Sequence, residues 1–481
     1  TIMKKIFFFL FSIFIVFSSN ATHLMGGQIT ASYLSSDSTG SHYIFELTAY
    51  RDTIGIPMGI SAVFDIESYD TSNGTWNSLQ TYTVTYDTSS GNLLPTVTVY
   101  GVEVYSFLDT ITLPGNGYYS ISWSECCRNA AIVNMYSPLS ENLHLTTYLT
   151  VDNLNPNSSP TFLTPPVAYL PHDTIWQYNP LPFDPDGDSL VWSLVTPLHT
   201  SSVQVSGYEY LSDSLYSDTT GVFTLDSITG SISWDPRILG NFAASLIIEE
   251  FRNGSKIGEM RRDMQFIVIN DTSNFLPTIS NFQNIPTNSL AYPYVLINPG
   301  TNYQLHLIGN DVNPNDILSM QAFGEVFGLF ISPASFNYFN TGNGNEIQGT
   351  FSWTPDLTHV RPQSYITVFR TSDNLFYFDN TIQFEVTLGS TNINEENLYL
   401  NKLYPNPSNG NFLFSLNLKK AENIEINIFN MMGVAIYHKD LNLSSGNHII
   451  QNKIDLKNGY YLVKISNDQN IIETSKILII K

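Results

Sequence analysis

The chain carries only two cysteines in 481 residues, and they are adjacent: Cys126 and Cys127 in "SWSECCRN". So few exclude a disulfide-stapled scaffold, and the stretch offers too few other ligands for zinc. A vicinal bridge demands an unusual ring. The pair therefore reads as two small, partly buried residues at a strand edge, with an intermolecular role left open. Helical periodicity is absent beyond the first twenty residues. No H-E-x-x-H, G-x-S-x-G or glycine-rich phosphate loop occurs, and the nine histidines are scattered. Metalloprotease, serine-hydrolase and nucleotide-binding chemistry thus lack their usual signatures. Long apolar runs are equally scarce. "IFFFLFSIFIVF", Ile6 to Phe17, is shorter than the ~20 residues a spanning helix needs.

That run comes after Lys4 and Lys5 and precedes "SSNA". The layout is that of a secretory signal peptide over residues 1–21. A mature chain starting near Thr22 is expected to be exported, with no later segment able to cross a membrane as a helix. Basic residues are few in the body of the chain. Residues 22–397 hold nine, eight of them arginine, against 36 acids, a charge of −27. From Leu398 onward nine lysines and six acids give +3. So sharp a change marks a boundary near residue 395. An acidic body repels phosphate backbones and attracts divalent cations, which excludes nucleic acid as a partner.

The residues that are abundant favour strands. Aromatics make up 13%, and threonine, isoleucine and valine are frequent. "SHYIFELTAYR" and "GNGYYSISWSE" alternate between Gly, Asn and Pro turns, placing an N-terminal β domain over 22–155. "DNLNPNSSP", Asp152 to Pro160, reads as a linker. Two related segments come next, 156–272 and 273–390, with a seam near "DTSNFLP". Each has an acidic turn ("FDPDGDSLVWSL", "GNDVNPNDILSM"), an apolar-Ser-Trp-x-Pro strand ("GSISWDP", "GTFSWTP") and a closing alternating strand. The spacing of 119 residues between Trp234 and Trp353 is a sandwich-domain period. Their matching places assign both tryptophans to cores rather than to sugar stacking. The fold class is all-β: tandem sandwiches with a small C-terminal sandwich.

The acidic turn with a later S-W-x-P strand resembles bacterial cadherin-like, immunoglobulin-type repeats. In some of these the turn holds calcium. Asp184, Asp186 and Asp188 stand at i, i+2 and i+4 around Gly187, so their carboxylates can converge on one hard cation. Glycine is fourth and Val195 twelfth, so this is no EF-hand; an Asx-type turn without metal is the alternative. Asp311, Asn313 and Asp316 carry less charge at altered spacing, and binding there is expected to be weaker or absent. "THLMGGQITASYL" and "SECCRNAA" resemble the N-terminal region of exported proteins from gliding and related Bacteroidetes. There Gly26 and Gly27 permit a bulge or turn in the first strand.

The final segment, 398–481, is preceded by a polar linker at 391–397 that is open to a peptidase. Short alternating strands such as "IEINIFN" build a compact antiparallel sandwich. It closely resembles the type A C-terminal sorting domain of the Bacteroidetes type IX secretion system. The likeness rests on Tyr404-Pro405-Asn406-Pro407 with Gly410, on Asn430 to Gly433, on Leu456, Gly459, Tyr460 and Val463, and on Thr474 through Lys476 to Lys481. It implies an address read by the type IX machinery after periplasmic passage, removal by a sorting peptidase, and a body released or held at the cell surface. Pro405 and Pro407 fix extended backbone at its start. The expected activity is adhesin-like or ligand-binding, toward a surface glycan or protein, without catalysis and with no cofactor besides calcium. The alternative is a secreted carbohydrate-active hydrolase with its site in 22–155, where Glu46, Asp65, Glu67, Glu103 and Glu125 could supply paired carboxylates.

Overall fold

Alternation of apolar and polar residues governs the first eight strands. These are β1 (Leu24–Asp37), β2 (Gly40–Asp52), β3 (Ser61–Asp70), β4 (Thr75–Thr85), β5 (Asn92–Leu94), β6 (Val102–Leu113), β7 (Gly117–Cys126) and β8 (Asn142–Val151). In β2, Tyr43, Phe45, Leu47 and Ala49 are fully buried while His42, Ile44, Glu46 and Thr48 are half-buried, as a period of two requires. The computed structural model describes residues 23–86, 92–94, 101–271, 273–343, 345–373, 375–388, 398–418, 420–430, 434–467 and 471–481. The signal peptide, the 391–397 linker and Gly433 lie outside them.

The next segment contributes β9 (Val167–Pro171), β10 (Trp176–Tyr178), β11 (Ser189–Val195), β12 (Thr224–Leu225), β13 (Ile232–Trp234), β14 (Gly240–Arg252) and β15 (Ser255–Ile269), besides shorter pieces. Its last strand does not stay within its own segment. β15 enters the first module's sheet, whose main path runs β4-β3-β7-β8-β15-β1-β2-β6-β5. One edge of β15 bonds along β14. The other serves three partners in turn: Gly258–Met260 pair with β8, Asp263 with Gly27 of β1, and Gln265–Ile269 run parallel to β9. The boundary at 155 therefore separates two hydrophobic cores but not two sheets.

Close approach explains the paired glycines of β1. A Cβ on Gly26 would lie 2.3 Å from the Asp263 carbonyl oxygen, and one on Gly27 2.4 Å from that of Thr48. The pairing of β1 with β2 shifts register between Leu24 and Gly26, which is the bulge the sequence suggested. Beside this crossing Arg128 Nη2 meets Asp263 Oδ2 at 2.5 Å, both side chains being buried. Arg128 also donates to the carbonyls of Asn142 and Leu198.

Two local readings are corrected. Cys126 and Cys127, at the edge where β7 leaves the sheet, are joined as a vicinal disulfide, the pairing that the sequence reading set aside. "DNLNPNSSP", read as a linker, is exposed only at 153–155, and its second half, 157–160, is a buried strap. Ala31 N donates to Ser159 Oγ and Ser159 N to the Ala31 carbonyl, both at 2.8 Å. Asn157 Nδ2 reaches Glu250 Oε2 at 2.9 Å. The strap's small polar side chains satisfy backbone groups that a sheet edge leaves open.

The second repeat comprises β16 (Thr278–Ile279), β17 (Tyr294–Ile297), β18 (Tyr303–Asn310), β19 (Ser319–Gly324), β20 (Ser335–Asn340), β21 (Glu346–Trp353), β22 (Tyr365–Ser372) and β23 (Tyr377–Val386). Its sheets order as β16-β18-β21-β20 and β17-β23-β22-β19, with β17 parallel to β23. That is the immunoglobulin-like sandwich. The first repeat shows the same skeleton, β9 running parallel to β15 and β11 pairing β14. Trp234 and Trp353 are buried at the centres of the two cores. The repeats meet through a bond from Trp176 Nε1 to the Tyr377 carbonyl at 2.8 Å. Asp379 contributes a second tie: it receives Asn179 N at 2.9 Å and both arms of Arg370 at 2.7 and 2.8 Å.

The chain divides into compact units at Thr387/Leu388. The C-terminal unit packs β24 (Leu398–Tyr404), β25 (Asn411–Leu418) and β28 (Gly446–Lys453) as one sheet. β27 (Ala435–Leu443), β26 (Glu422–Asn430), β29 (Gly459–Asn467) and β30 (Ile471–Ile479) form the other. Ile424, Ile426 and Ile428 share its core with Phe414, Val463 and Ile477. Among the described residues no helix is long and apolar enough to cross a membrane.

The crossing of β1 and β15 sets a prediction. Gly26→Ala drives a methyl into the Asp263 carbonyl and should cost about 1–3 kcal/mol. Urea denaturation followed by tryptophan fluorescence measures it; a midpoint equal to the parent's would contradict the close approach.

Candidate functional site: acidic turns and an aromatic face

The first acidic turn connects the strap side of the first repeat to β11. It brings the three predicted carboxylates together: one oxygen from each of Asp184, Asp186 and Asp188 lies within 4.8 Å of the others. Asp184 is buried, and its Oδ1 accepts from the backbone N–H groups of Asp186 and Asp188 at 2.9 and 3.0 Å. Its Oδ2 is buried without a partner. Asp186 receives Ser158 N at 2.6 Å. Asp188 takes a forked bond from Arg252, with Nη2 to Oδ2 at 2.6 Å.

Sequence reasoning missed two members of this cluster, Glu250 and Arg252. Both stand at the end of β14, more than sixty residues from the turn, and become neighbours because Ser189 pairs with Phe251. Glu250 is 1% exposed, and its Oε1 also lacks a partner. Burial, reinforced by the charge of Asp184, pushes the Glu250 carboxyl up to about 9. Burial pushes Asp184 up to about 6.

The second acidic turn assembles differently. Asp311, Asp316 and Asp373 bring carboxylate oxygens within 4.8 Å of one another. Asn313, expected as a ligand, instead receives Phe275 N at 2.9 Å and donates to the Ser273 carbonyl at 2.7 Å. Asp373, which the sequence did not suggest, comes from the turn between β22 and β23. Its carboxyl and that of Asp311 are raised from the ordinary value, burial being the larger cause and like charges in the cluster adding to it.

A third feature lies on the outer face of the first module. Tyr69 of β3, Trp76 of β4, Tyr118 of β7 and Tyr148 of β8 form one continuous aromatic surface. Trp76 lies 5.1, 5.5 and 5.4 Å from the ring centres of Tyr69, Tyr118 and Tyr148, and Tyr118 stacks on Tyr148 at 6.0 Å. Glu259 of β15 stands opposite Tyr148, and Lys256 bridges Glu249 and Glu259 at 2.5 Å each. Tyr118 is pushed up to about 12, first by burial among its neighbours and then by Glu259.

The carboxylates of the hydrolase alternative come from four strands, β2, β3, β6 and β7. Glu103 is held by Arg51 at 2.7 Å and Glu46 accepts from Ser106 at 2.6 Å. Asp65 and Glu67 lie along β3, and Glu125 is exposed near the end of β7. Ser124 Oγ sits 2.6 Å from His144 Nδ1, yet the other ring nitrogen meets the Thr146 hydroxyl at 2.9 Å rather than a carboxylate. Burial holds His144 down to about 4.

In the C-terminal unit Asn406 acts as a rung of the sheet. Its Nδ2 donates to the Lys476 carbonyl at 2.8 Å and its Oδ1 accepts from Leu478 N at 2.9 Å. Pro405 and Pro407 flank it in the open. Gly410 adopts φ 101°, and a Cβ there would lie 2.3 Å from the Ile454 carbonyl oxygen. Lys476 Nζ lies 4.0 Å over the Tyr460 ring. Gly459 opens β29, and Lys481 N donates to Asn458 Oδ1 at 2.9 Å. The backbone of Tyr404 pairs with Leu413.

Comparison with known proteins gives three results. Curated proteins yield no match. Among solved structures, a chimeric titin Z1Z2 is 9% identical over 48% of this chain and 98% of that one, with a TM-score of 0.16. The N-terminal eight immunoglobulin domains of Down syndrome cell adhesion molecule are 8% identical over 95% and 80%, at 0.19. An endo-fucoidan hydrolase of glycoside hydrolase family 107 is 12% identical over 47% and 34%, at 0.17. Scores this low decide nothing about fold or function. Residues 402–481, by contrast, match the family described as secretion system C-terminal sorting domain. With the Tyr404-to-Lys481 framework in place, this tail is a sorting domain and the chain is a cargo of the type IX secretion system, exported to the cell surface or beyond.

Proposed function

We propose that the exported body is a non-enzymatic, adhesin-like protein that binds a surface glycan through the aromatic face of its first module. The observation that carries this reading is the cluster of Tyr69, Trp76, Tyr118 and Tyr148 on an outer sheet face. Side chains there need not be apolar for folding, and Tyr69 remains 37% exposed. Such clusters mark interaction surfaces. Tyrosine and tryptophan suit a ligand with an apolar face and a polar rim, which is how a pyranose presents its C–H groups and hydroxyls. Glu67, Glu259 and Lys256 border the rings and can take the hydroxyls. Passage through the periplasm behind a signal peptide, and removal of the tail by a sorting peptidase, belong to the same proposal.

The first acidic turn fits calcium as its ion. Two buried carboxylate oxygens, Asp184 Oδ2 and Glu250 Oε1, lack partners beside Asp186 and Asp188, a donor set that suits a hard cation. Calcium there would supply fixed positive charge that holds the strap, β11 and β14 together, with Arg252 as its neighbour.

On a glycan array, Trp76→Ala with Tyr118→Ala should weaken binding about thirtyfold, the factor for losing ~2 kcal/mol at a hot spot; equal binding by parent and variant would contradict the aromatic face. In chelator, a Glu250 raised to about 9 keeps a proton that the unfolded chain releases above its ordinary 4.5. The folded state thus binds more protons, and stability falls as pH rises through this window. Glu250→Gln should flatten the melting temperature between pH 5 and 9; a profile as steep as the parent's would refute the buried acid.

A further inference from the structure

We infer that the cleft between the two repeats is a binding site for a short neutral saccharide. It is separate from the aromatic face of the first module and does not rest on the reading given to that surface.

Strand alternation builds one wall. Trp176, Tyr178, Ile232 and Trp234 point into the first repeat's core, so Gln177 and Ser233 between them face outward. Gln177 pairs with Ser233, and Ser233 with Thr224. An amide and two hydroxyls thus line up across β10, β13 and β12. The other wall comes from the second repeat, from β23 and the turn Phe282–Asn284. Phe282, Tyr292 and Phe378 bring their rings to it; Tyr292 and Phe378 are half-buried and belong to neither core. The space between the walls is about 650 Å³, within the range of small-ligand sites.

The cleft is formed before any ligand arrives. Ser231 Oγ donates to Thr381 Oγ1 at 2.9 Å and Tyr292 Oη to Asp226 Oδ2 at 2.5 Å. With the Trp176–Tyr377 and Asn179–Asp379 bonds, these tie one repeat to the other.

Its chemistry narrows the ligand. Two lining amide nitrogens, Asn380 Nδ2 and Gln383 Nε2, are buried without a partner, each residue being 6% exposed. Donors left so are costly, and oxygens supplied by a ligand relieve them. No lysine, arginine or histidine is among the described lining residues, so a phosphate or carboxylate would meet no opposite charge. The two lining carboxylates are already engaged. Asp226 receives Tyr292 and the Thr229 N–H, the latter at 2.6 Å; Asp379 receives Arg370 and Asn179. A cation therefore finds no free partner either. What fits is uncharged, with hydroxyls for the amides and the hydroxyl row and a C–H face for the rings. A pyranose has both.

Saturation-transfer NMR on the whole chain tests it. The probes are glucose, galactose, mannose, cellobiose and lactose at about 10 mM, above the millimolar dissociation constant that so few atoms permit. The parent should bind at least one of them. Binding should persist when Trp76→Ala and Tyr118→Ala remove the first module's face. It should weaken about tenfold in Phe378→Ala, the scale of losing one well-placed contact. Thr224→Trp, which fills the cleft from an exposed strand residue, repeats the test should Phe378→Ala disturb folding. A parent that binds none of the probes, binding that disappears with the aromatic face, or binding that both cleft variants leave unchanged would overturn the inference.

Discussion

The body of this protein depends on the pairing of one strand, β15, with more neighbours than a strand usually has. Its 15 residues close the first repeat through β14 and β9, and the same backbone fills the gap between β8 and β1 of the first module. Backbone groups in a sheet must find partners, so the first module without β15 would expose edges at β1 and β8. Gly26 and Gly27 keep their neighbouring backbones at a distance no side chain would permit, and the buried Arg128–Asp263 pair locks the crossing. Removing either member of such a pair leaves a buried charge uncompensated. The outer aromatic face depends on this arrangement too, since Glu259 on β15 borders Tyr148 on β8.

Around that strand the two repeats show how one framework serves different chemistry. Their tryptophans, parallel first strands and inter-repeat bonds are architectural and nearly interchangeable. The position after the last β14 or β22 rung is not: Arg252 neutralises one turn, and Asp373 sharpens the charge of the other. The sorting tail is a separate case. Its identifying residues serve its own sheets, as when the Asn406 amide substitutes for a backbone rung against β30. The signal read at export is thus carried by a folded unit whose motif residues are also structural.

Much of this was legible in the sequence because the signals are local. Alternation gave the strands, the repeated Ser-Trp-x-Pro gave the tandem sandwiches, and the Tyr404-to-Lys481 framework gave the tail. The shared strand was not legible, since pairing between Gly27 and Asp263 leaves no trace in either segment alone. Composition misled at 157–160, where Asn, Ser and Pro cap a buried edge instead of continuing the exposed linker of 153–155. Glu250 and Asp373 were missed for a common reason: each reaches an acidic turn from a distant strand end, and register, not spacing, brings it there. Tyr69, Trp76, Tyr118 and Tyr148 looked like ordinary strand aromatics until the sheet order set them side by side.

The central claim is that residues 22–155 carry their own core but borrow β15 to complete their sheet. Expressing residues 22–155 alone, and comparing their thermal unfolding by circular dichroism with that of residues 22–388, addresses it directly. The account predicts that the short chain shows no cooperative transition, whereas the longer one melts as a unit. A short chain that melts cooperatively near the same temperature would contradict it.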